Sequence, residues 1–111
     1  MRIERVVAQL EKELSCIITQ EIKDPRLGLI TITHLVLTPD LKEATVFFSS
    51  LGEKQQALET LQRAKGFIRT SLARRISIRH VPELEFRLDD SLEYSQNINN
   101  LLNEINNNHK E

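Results

Sequence analysis

Side chains that could perform catalysis are few in this sequence, and they lie far apart. The candidates are three histidines and one cysteine, namely His34, His80, His109 and Cys16. No spacing among them matches a metal-binding motif, and Cys16 is best interpreted as a small, inert apolar residue. The adjacent acids Asp89 and Asp90 would point to opposite faces at a strand end, which favours helix capping over metal binding. We therefore expect no catalytic activity, no metal and no cofactor.

A run of basic residues is better suited to binding. Residues 63–79, called the basic block below, contain six basic side chains and no acid: Arg63, Lys65, Arg69, Arg74, Arg75 and Arg79. The other 9 basic and 16 acidic residues leave the rest of the chain with a charge of −7. A basic run is usually a solvated helix face, but stabilising helix pairs normally alternate in sign. The block therefore predicts binding to a nucleic acid or another polyanion.

Length and composition limit the class of protein that can carry this block. A chain of 111 residues, 40% hydrophobic and 28% charged, is long enough for one domain with its own apolar core. A lone cysteine excludes an intramolecular disulfide and fits a reducing compartment. No apolar run approaches the roughly 20 residues of a membrane span. We expect a soluble, cytoplasmic, monomeric single domain over residues 1–111, with its core at about 2–90.

The first half of the chain predicts a helix followed by a hairpin. Apolar residues at spacings of three and four predict an amphipathic helix over about residues 2–22, which Pro25 ends. Two β-branched segments, at 29–37 and 44–48, predict antiparallel strands joined by a turn at 38–40. Ile30, Ile32 and Val36 are expected on the buried face of the first strand. His34 shares their parity, and the sequence suggests no partner for it.

The second half predicts two helices, a strand and a last helix. Gly66 disfavours a single straight helix, so a kink is expected at Ala64-Lys65-Gly66. Alternating apolar and charged residues predict a strand at 84–88. A C-terminal helix is expected at about 91–106, followed by a frayed tail at 107–111, because asparagine is a poor helix former.

The second of the two helices should carry the basic surface. Its spacing turns Ile68, Leu72 and Ile76 inward. The residues expected to point outward are Thr70, Ser71 and Arg74, with Arg69 and Arg75 on the flanks. No exposed aromatic residue is expected on this face, so base stacking is weakly supported. Recognition of folded RNA by its shape and backbone fits better.

A DNA-binding helix-turn-helix is the alternative. Two helices with a glycine between them and a basic second helix match that motif in outline. Gln62 stands where tight packing in the motif wants a small residue, and Phe67-Ile68-Arg69 continues as helix where the turn should run on. This alternative ranks second.

Several residue strings, in order, resemble the ribosome-binding factor A family over about residues 2–105. They are Asp24-Pro25-Arg26-Leu27-Gly28, Thr31-Ile32-Thr33, Pro39-Asp40-Leu41 with Ala44 and Val46, Ala64-Lys65-Gly66-Phe67-Ile68-Arg69, and Val81-Pro82-Glu83-Leu84-Glu85-Phe86-Arg87-Leu88-Asp89-Asp90-Ser91. The order helix, strand, strand, helix, kink, helix, strand is that of a type II KH domain, an RNA-binding α+β fold. The resemblance thus implies an α+β, KH-like single domain.

The resemblance also implies a function. Members of this family bind the free small ribosomal subunit and assist late maturation and processing of its 16S ribosomal RNA, without known catalysis, and are linked to growth in the cold. Ribosomal RNA and ribosomal proteins are then the partners, and no membrane is involved. Ala64-Lys65-Gly66 replaces the Gly-x-x-Gly clamp of ordinary KH domains, so that clamp is not expected here. The candidate RNA-binding residues are Arg63, Lys65, Gly66, Arg69, Arg74, Arg75 and Arg79, with Lys23 and Arg26 as weaker candidates.

Overall fold

The computed structural model of the chain describes residues 2–89, which form three helices and a three-stranded sheet. The elements are α1 (Ile3–Gln20), β1 (Ile30–Leu37), β2 (Glu43–Ser50), α2 (Lys54–Arg63), α3 (Lys65–Arg75) and β3 (Glu83–Leu88). The strand order is β1-β2-β3, with β1 antiparallel and β3 parallel to β2. The predicted α+β class and element order are confirmed. The helix expected at 91–106 and the tail at 107–111 lie outside the described residues.

The core lies between the helices and one face of the sheet. The stripe of α1 buries residues at spacings of three and four: Val6, Leu10, Leu14, Ile17 and Ile18. On β2 the buried residues alternate, as they must when only one face of a strand is covered: Ala44, Val46 and Phe48. Ile68 and Leu72 bring α3 onto the same core. This packing fixes which side of α3 is left for a partner.

A β-bulge changes which face of β1 is buried. Ile32 pairs with Phe48, but His34 pairs with Phe47, so Thr33 is the extra residue. Before the bulge the even-numbered residues face the core, and after it the odd-numbered ones do. Leu35 is therefore buried, whereas Val36 is 54% exposed. The expectation that Val36 shares a buried face with Ile30 is therefore wrong, because the face alternates strictly only where the pairing is regular.

The bulge also gives His34 partners on the outer face of the sheet. Its ring stacks on Phe47, with centroids 4.3 Å apart and planes 11° from parallel. Its Nδ1 lies 3.4 Å from Oδ2 of Asp89, and the Thr33 hydroxyl donates to the same oxygen at 2.5 Å. His34 is thus part of a structural cluster that ties the end of β3 to β1, and the expectation that it has no partner is wrong.

The junction between α2 and α3 is a single residue, Ala64, with φ −86° and ψ 1°. Its N–H donates to the carbonyl of Thr60 at 3.0 Å, and its own carbonyl accepts from Ile68 N–H at 2.9 Å. The predicted kink is therefore present and is made at Ala64, whereas Lys65 and Gly66 already belong to the first turn of α3. One residue leaves no room for the turn of a helix-turn-helix motif.

Candidate nucleic-acid interface

The side of α3 that faces away from the core carries both cations and open surface. Ile68 and Leu72 are fully buried on the inner side. The outer side exposes a set of residues called the basic face below: Arg63, at the end of α2, then Gly66, Phe67, Thr70 and Arg74. The helix itself contains no acidic residue, so nothing on α3 neutralises this face. It can attract and contact an anion over two helical turns.

Four cations of the basic block are available to an external partner. Arg63, Lys65, Arg74 and Arg79 form no hydrogen bond or close ion pair with any other residue of the described chain, 2–89. Guanidinium and ammonium groups of this kind neutralise phosphates and hydrogen-bond to their oxygens. These four are therefore the groups that can contact a nucleic-acid backbone without first losing an internal partner.

Arg75 has a different environment, because it is held between two glutamates of the α1 region. Its guanidinium donates to Glu13 at 3.1 Å and to Glu21 at 2.5 Å. The hydrogen bonds that Arg75 donates, first to Glu13 and then to Glu21, are the main reasons why its pKa is raised. Ser71 is only 7% exposed and donates to Glu21 at 2.8 Å, so the expectation that Ser71 points outward is wrong. Arg75 and Ser71 thus attach α3 to α1.

Arg69 is also occupied within the protein. Its guanidinium donates to the carbonyl of Val81 at 3.1 Å and lies 3.3 Å from Glu83 Oε1. The Arg69 Nε is buried without a hydrogen-bond partner among residues 2–89. The side chain therefore holds the α3–β3 segment against α3, and in doing so positions Arg79 on that segment.

A cavity of about 450 Å³ opens where this segment approaches the β1–β2 turn. Leu41, Ile78 and Val81 are its apolar lining residues, and the cations Lys42, Arg69 and Arg79 also line it. It lies at the far end of the basic block from the kink. Asp40 and Glu83 line it as well, so the recess past the end of α3 has an apolar floor and side chains of both charges.

The turn after α1 carries two more cations, Lys23 and Arg26. Arg26 donates to both carboxylate oxygens of Asp24, at 3.0 and 2.9 Å. These bonds are the main reason why the pKa of Asp24 is lowered, and the charge of Arg63 contributes over a longer range. Lys23 is exposed and has no hydrogen bond or ion pair within residues 2–89, whereas Arg26 is paired with Asp24.

Phe67 is the surface residue that the sequence analysis missed. Its side chain is 51% exposed beside Gly66, so the expectation that no exposed aromatic lies on this face is wrong. The signal was present in the spacing: residues 67, 70 and 74 share one side of a helix when 68 and 72 point inward. An aromatic residue thus lies among the free cations.

The residues first considered for catalysis do not converge. Cys16 donates to Gln20 on α1 at 3.4 Å and accepts from Arg75, while His34 belongs to the outer face of the sheet. His80 lies exposed on the α3–β3 segment, and His109 lies outside the described residues. Over residues 2–89, no group of three His, Cys, Asp or Glu side chains could hold a metal ion.

Comparison with known proteins identifies the family. A family model described as ribosome-binding factor A matches residues 2–102. The chain belongs to the ribosome-binding factor A family. A ribosome-binding factor A from Natranaerobius thermophilus is 45% identical over 109 residues, covering 96% of this chain and 83% of the relative.

Solved structures of ribosome-binding factor A share the fold. The crystal structure from Thermus thermophilus has a TM-score of 0.73 at 35% identity, covering 77% of this chain and 92% of that one. A homology model of the Thermus thermophilus factor, fitted into a cryo-electron microscopy map of a 30S complex, has a TM-score of 0.61 at 30% identity and covers 79% and 91%. The helix-turn-helix alternative is therefore wrong.

Among the described helices of this ribosome-binding factor A family member, none is long and apolar enough to cross a membrane.

The contact between α1 and α3 should make the stability of this ribosome-binding factor A family member depend on pH. Hydrogen bonds from Ser71 and then Arg75 lower the pKa of Glu21. A lowered pKa stabilises the fold above the ordinary glutamate value of about 4.3, and that stabilisation is lost as the pH falls through the folded-state value. Glu21→Gln should therefore lower Tm at pH 7, with the difference shrinking towards pH 3 in a thermal-unfolding series.

The control for this series is Glu11→Gln, also on the α1 region. Glu11 forms no hydrogen bond or ion pair within the part of the chain that the structure describes. The Glu11→Gln variant should have nearly the same Tm as the wild type over the same pH range. A Glu21→Gln variant whose Tm difference from the wild type is constant with pH would contradict the assigned role of this carboxylate.

Proposed function

We propose that this chain binds the free small ribosomal subunit and assists late maturation and processing of its 16S ribosomal RNA, with the basic face docked on the RNA. The observation that carries the proposal is the basic block, which contains no acid and holds four cations without an internal partner among residues 2–89. The similarity to a factor fitted into a map of a 30S complex supports the same target. The work is done by binding, in the cytoplasm, without catalysis or a cofactor. A requirement for the chain in cold growth stays a prediction.

The six basic residues divide into two roles under this proposal. Arg63, Lys65, Arg74 and Arg79 contact phosphates, because they have no internal partner among residues 2–89. Arg69 and Arg75 position the surface: one holds the α3–β3 segment and the other holds α3 to α1. Lys23 and Arg26 stay weaker candidates and are not counted among the four contacts: they lie in the turn after α1, and Arg26 is paired with Asp24.

Sedimentation of the full-length chain with purified ribosomal particles tests the proposal. The chain should travel with free small subunits at low salt, and it should remain at the top of the gradient with large subunits alone. Raising the salt should release it, because phosphate contacts exchange with counterions. A chain that ignores small subunits at every salt concentration would contradict the proposal, as would one that travels instead with genomic DNA.

Gly66→Ala should raise the stability of the protein but lower its affinity for the small subunit. A Cβ added at Gly66 meets no atom of the described residues within 4 Å, and the residue lies inside α3. The substitution should therefore stabilise the fold by roughly 0.5–1 kcal/mol, because alanine is the better helix former. We expect it to weaken small-subunit binding more than neutralising any single arginine does, because the new methyl group stands where the RNA backbone approaches.

Gly52→Ala is the matched control for that measurement. A Cβ at Gly52 also meets nothing within 4 Å, and the residue lies in the β2–α2 loop outside the basic block. The Gly52→Ala variant should bind small subunits with the affinity of the wild type. If Gly66→Ala raises Tm and leaves the affinity for small subunits unchanged, Gly66 has no role in binding.

A further inference from the structure

Phe67 is the one phenylalanine of the chain that the fold leaves half in solvent. Phe48 and Phe86 are buried in the core, and Phe47 is partly covered by the ring of His34. Phe67 instead stands 51% exposed on the first turn of α3. Nothing in the packing of the described chain accounts for an aromatic ring at this position. The ring is therefore available to a binding partner.

We propose that Phe67 stacks on one unpaired base of the small-subunit ribosomal RNA, at the centre of the basic face. This inference rests on the proposed function and specifies the ligand of that surface. Bases that are not paired present a flat π surface, and aromatic side chains that bind RNA stack on it. A single exposed ring between Arg63 and Arg74 is suited to one nucleotide, with its base on the ring and the phosphates of the same strand on these two side chains.

The neighbours of Phe67 leave its ring accessible. Gly66 precedes it and has no side chain, and the Thr70 hydroxyl is turned back to donate to the Gly66 carbonyl at 3.0 Å. Glycine inside a helix costs about 1 kcal/mol relative to alanine, yet Gly66 has helical backbone and open space around its missing Cβ. No requirement of the described fold explains this glycine. Close approach of a nucleotide to the same helical turn explains both Gly66 and Phe67.

The charge around the ring distinguishes an RNA base from an apolar protein pocket. Arg63 and Lys65 precede Phe67 and Arg74 lies two turns beyond it, and none of the three has an internal ion-pair partner within residues 2–89. Inserting the ring into an apolar groove would strip water from these cations without pairing them, which is costly. Docking on RNA pairs the same cations with phosphates while the ring is covered.

The experiment compares two substitutions in the full-length chain, using purified free small subunits as the probe. Phe67→Leu retains apolar bulk but removes the π surface, and Phe67→Trp retains the π surface. The chain has no tryptophan of its own, so the new indole is its only one, and its emission is obtained by subtracting that of subunits mixed with the wild-type chain. Because Phe67 is exposed, both variants should have the Tm of the wild type, and Tm measurement verifies that they fold.

Phe67→Leu should weaken binding about 5- to 150-fold, the range of affinity lost when a stacked base loses its aromatic partner. The salt dependence of its binding should keep the wild-type slope, because the phosphate contacts remain. Phe67→Trp should bind like the wild type, and subunit binding should quench its emission. Leu51→Ala is the control: Leu51 is 84% exposed on the β2–α2 loop, away from the basic face, and its loss should leave binding unchanged.

The opposite results would overturn the inference. If Phe67→Leu binds like the wild type, stacking contributes nothing. If Phe67→Leu is tolerated and the tryptophan emission shifts to the blue without quenching, the ring enters an apolar pocket of a ribosomal protein. Wild-type chain that fails to bind free small subunits refutes the proposed function itself, whereas wild-type binding with an unaffected Phe67→Leu variant refutes only the stacking.

Discussion

Replacing Arg63, Lys65, Arg74 and Arg79 together with glutamine should remove nearly all salt-sensitive binding to the small subunit. Each phosphate contact contributes about 0.7–0.9 to the slope of log affinity against log salt, so four contacts predict a wild-type slope of about −3 to −4. A fourfold rise in salt should then weaken wild-type binding roughly 50- to 150-fold. The substituted chain should show a slope near zero in binding titrations over the same salt range.

The matched control replaces four exposed cations outside the basic block: Arg2, Arg5, Lys12 and Arg87. It removes the same charge, so a general electrostatic effect would appear equally in both variants. We expect the control to keep a wild-type slope. A slope for the wild-type chain of about −5 would show that Arg69 and Arg75 leave their carboxylates and join the contacts, and a slope near zero would contradict phosphate docking altogether.

Leu72→Ala should strongly destabilise the fold. Leu72 is fully buried on the inner side of α3, within the core that also contains residues of α1 and the sheet. Replacing a buried leucine with alanine typically costs about 2–5 kcal/mol, from lost transfer energy and the cavity left behind. Domains of this size are stable by only about 5–15 kcal/mol, so the midpoint of urea denaturation should fall steeply.

Ala73→Ser is the control for this substitution, since Ala73 is the exposed neighbour of Leu72 on the same helix. Its effect should stay within about 0.5 kcal/mol. The fraction of Leu72→Ala protein that remains folded should show the wild-type slope of log subunit affinity against log salt, because its cations are intact. An unchanged denaturation midpoint for Leu72→Ala would mean that α3 does not pack on the core as described.

The local patterns of the sequence were enough to predict most of the fold. The spacing of apolar residues in α1 is a property of adjacent turns, and the alternation in β2 is a property of neighbouring residues, so both can be read without knowing the rest of the chain. The break near Gly66 was predicted from helix propensity alone, although the structure makes it at Ala64. The predicted C-terminal helix lies outside the described residues and stays a prediction.

The buried face of β1 could not be predicted in the same way. Strict alternation placed Val36 inward, but the bulge at Thr33 reverses the parity after Ile32. A bulge depends on how two strands pair, which is a relation between segments rather than a feature of either one. The partners of His34 were missed for a related reason, because Asp89 is 55 positions away along the chain and reaches it only through the assembled sheet.

By itself, the sequence determined that the basic block exists, that it contains no acid, and that it lies on a helix beside a kink. Only the tertiary structure decided which of its cations are free. Arg75 is paired because α1 brings Glu13 and Glu21 to it, and Arg69 is occupied because the α3–β3 segment folds back over α3. Charges can be counted along a chain, but an ion pair forms only where packing places two charges within a few ångströms.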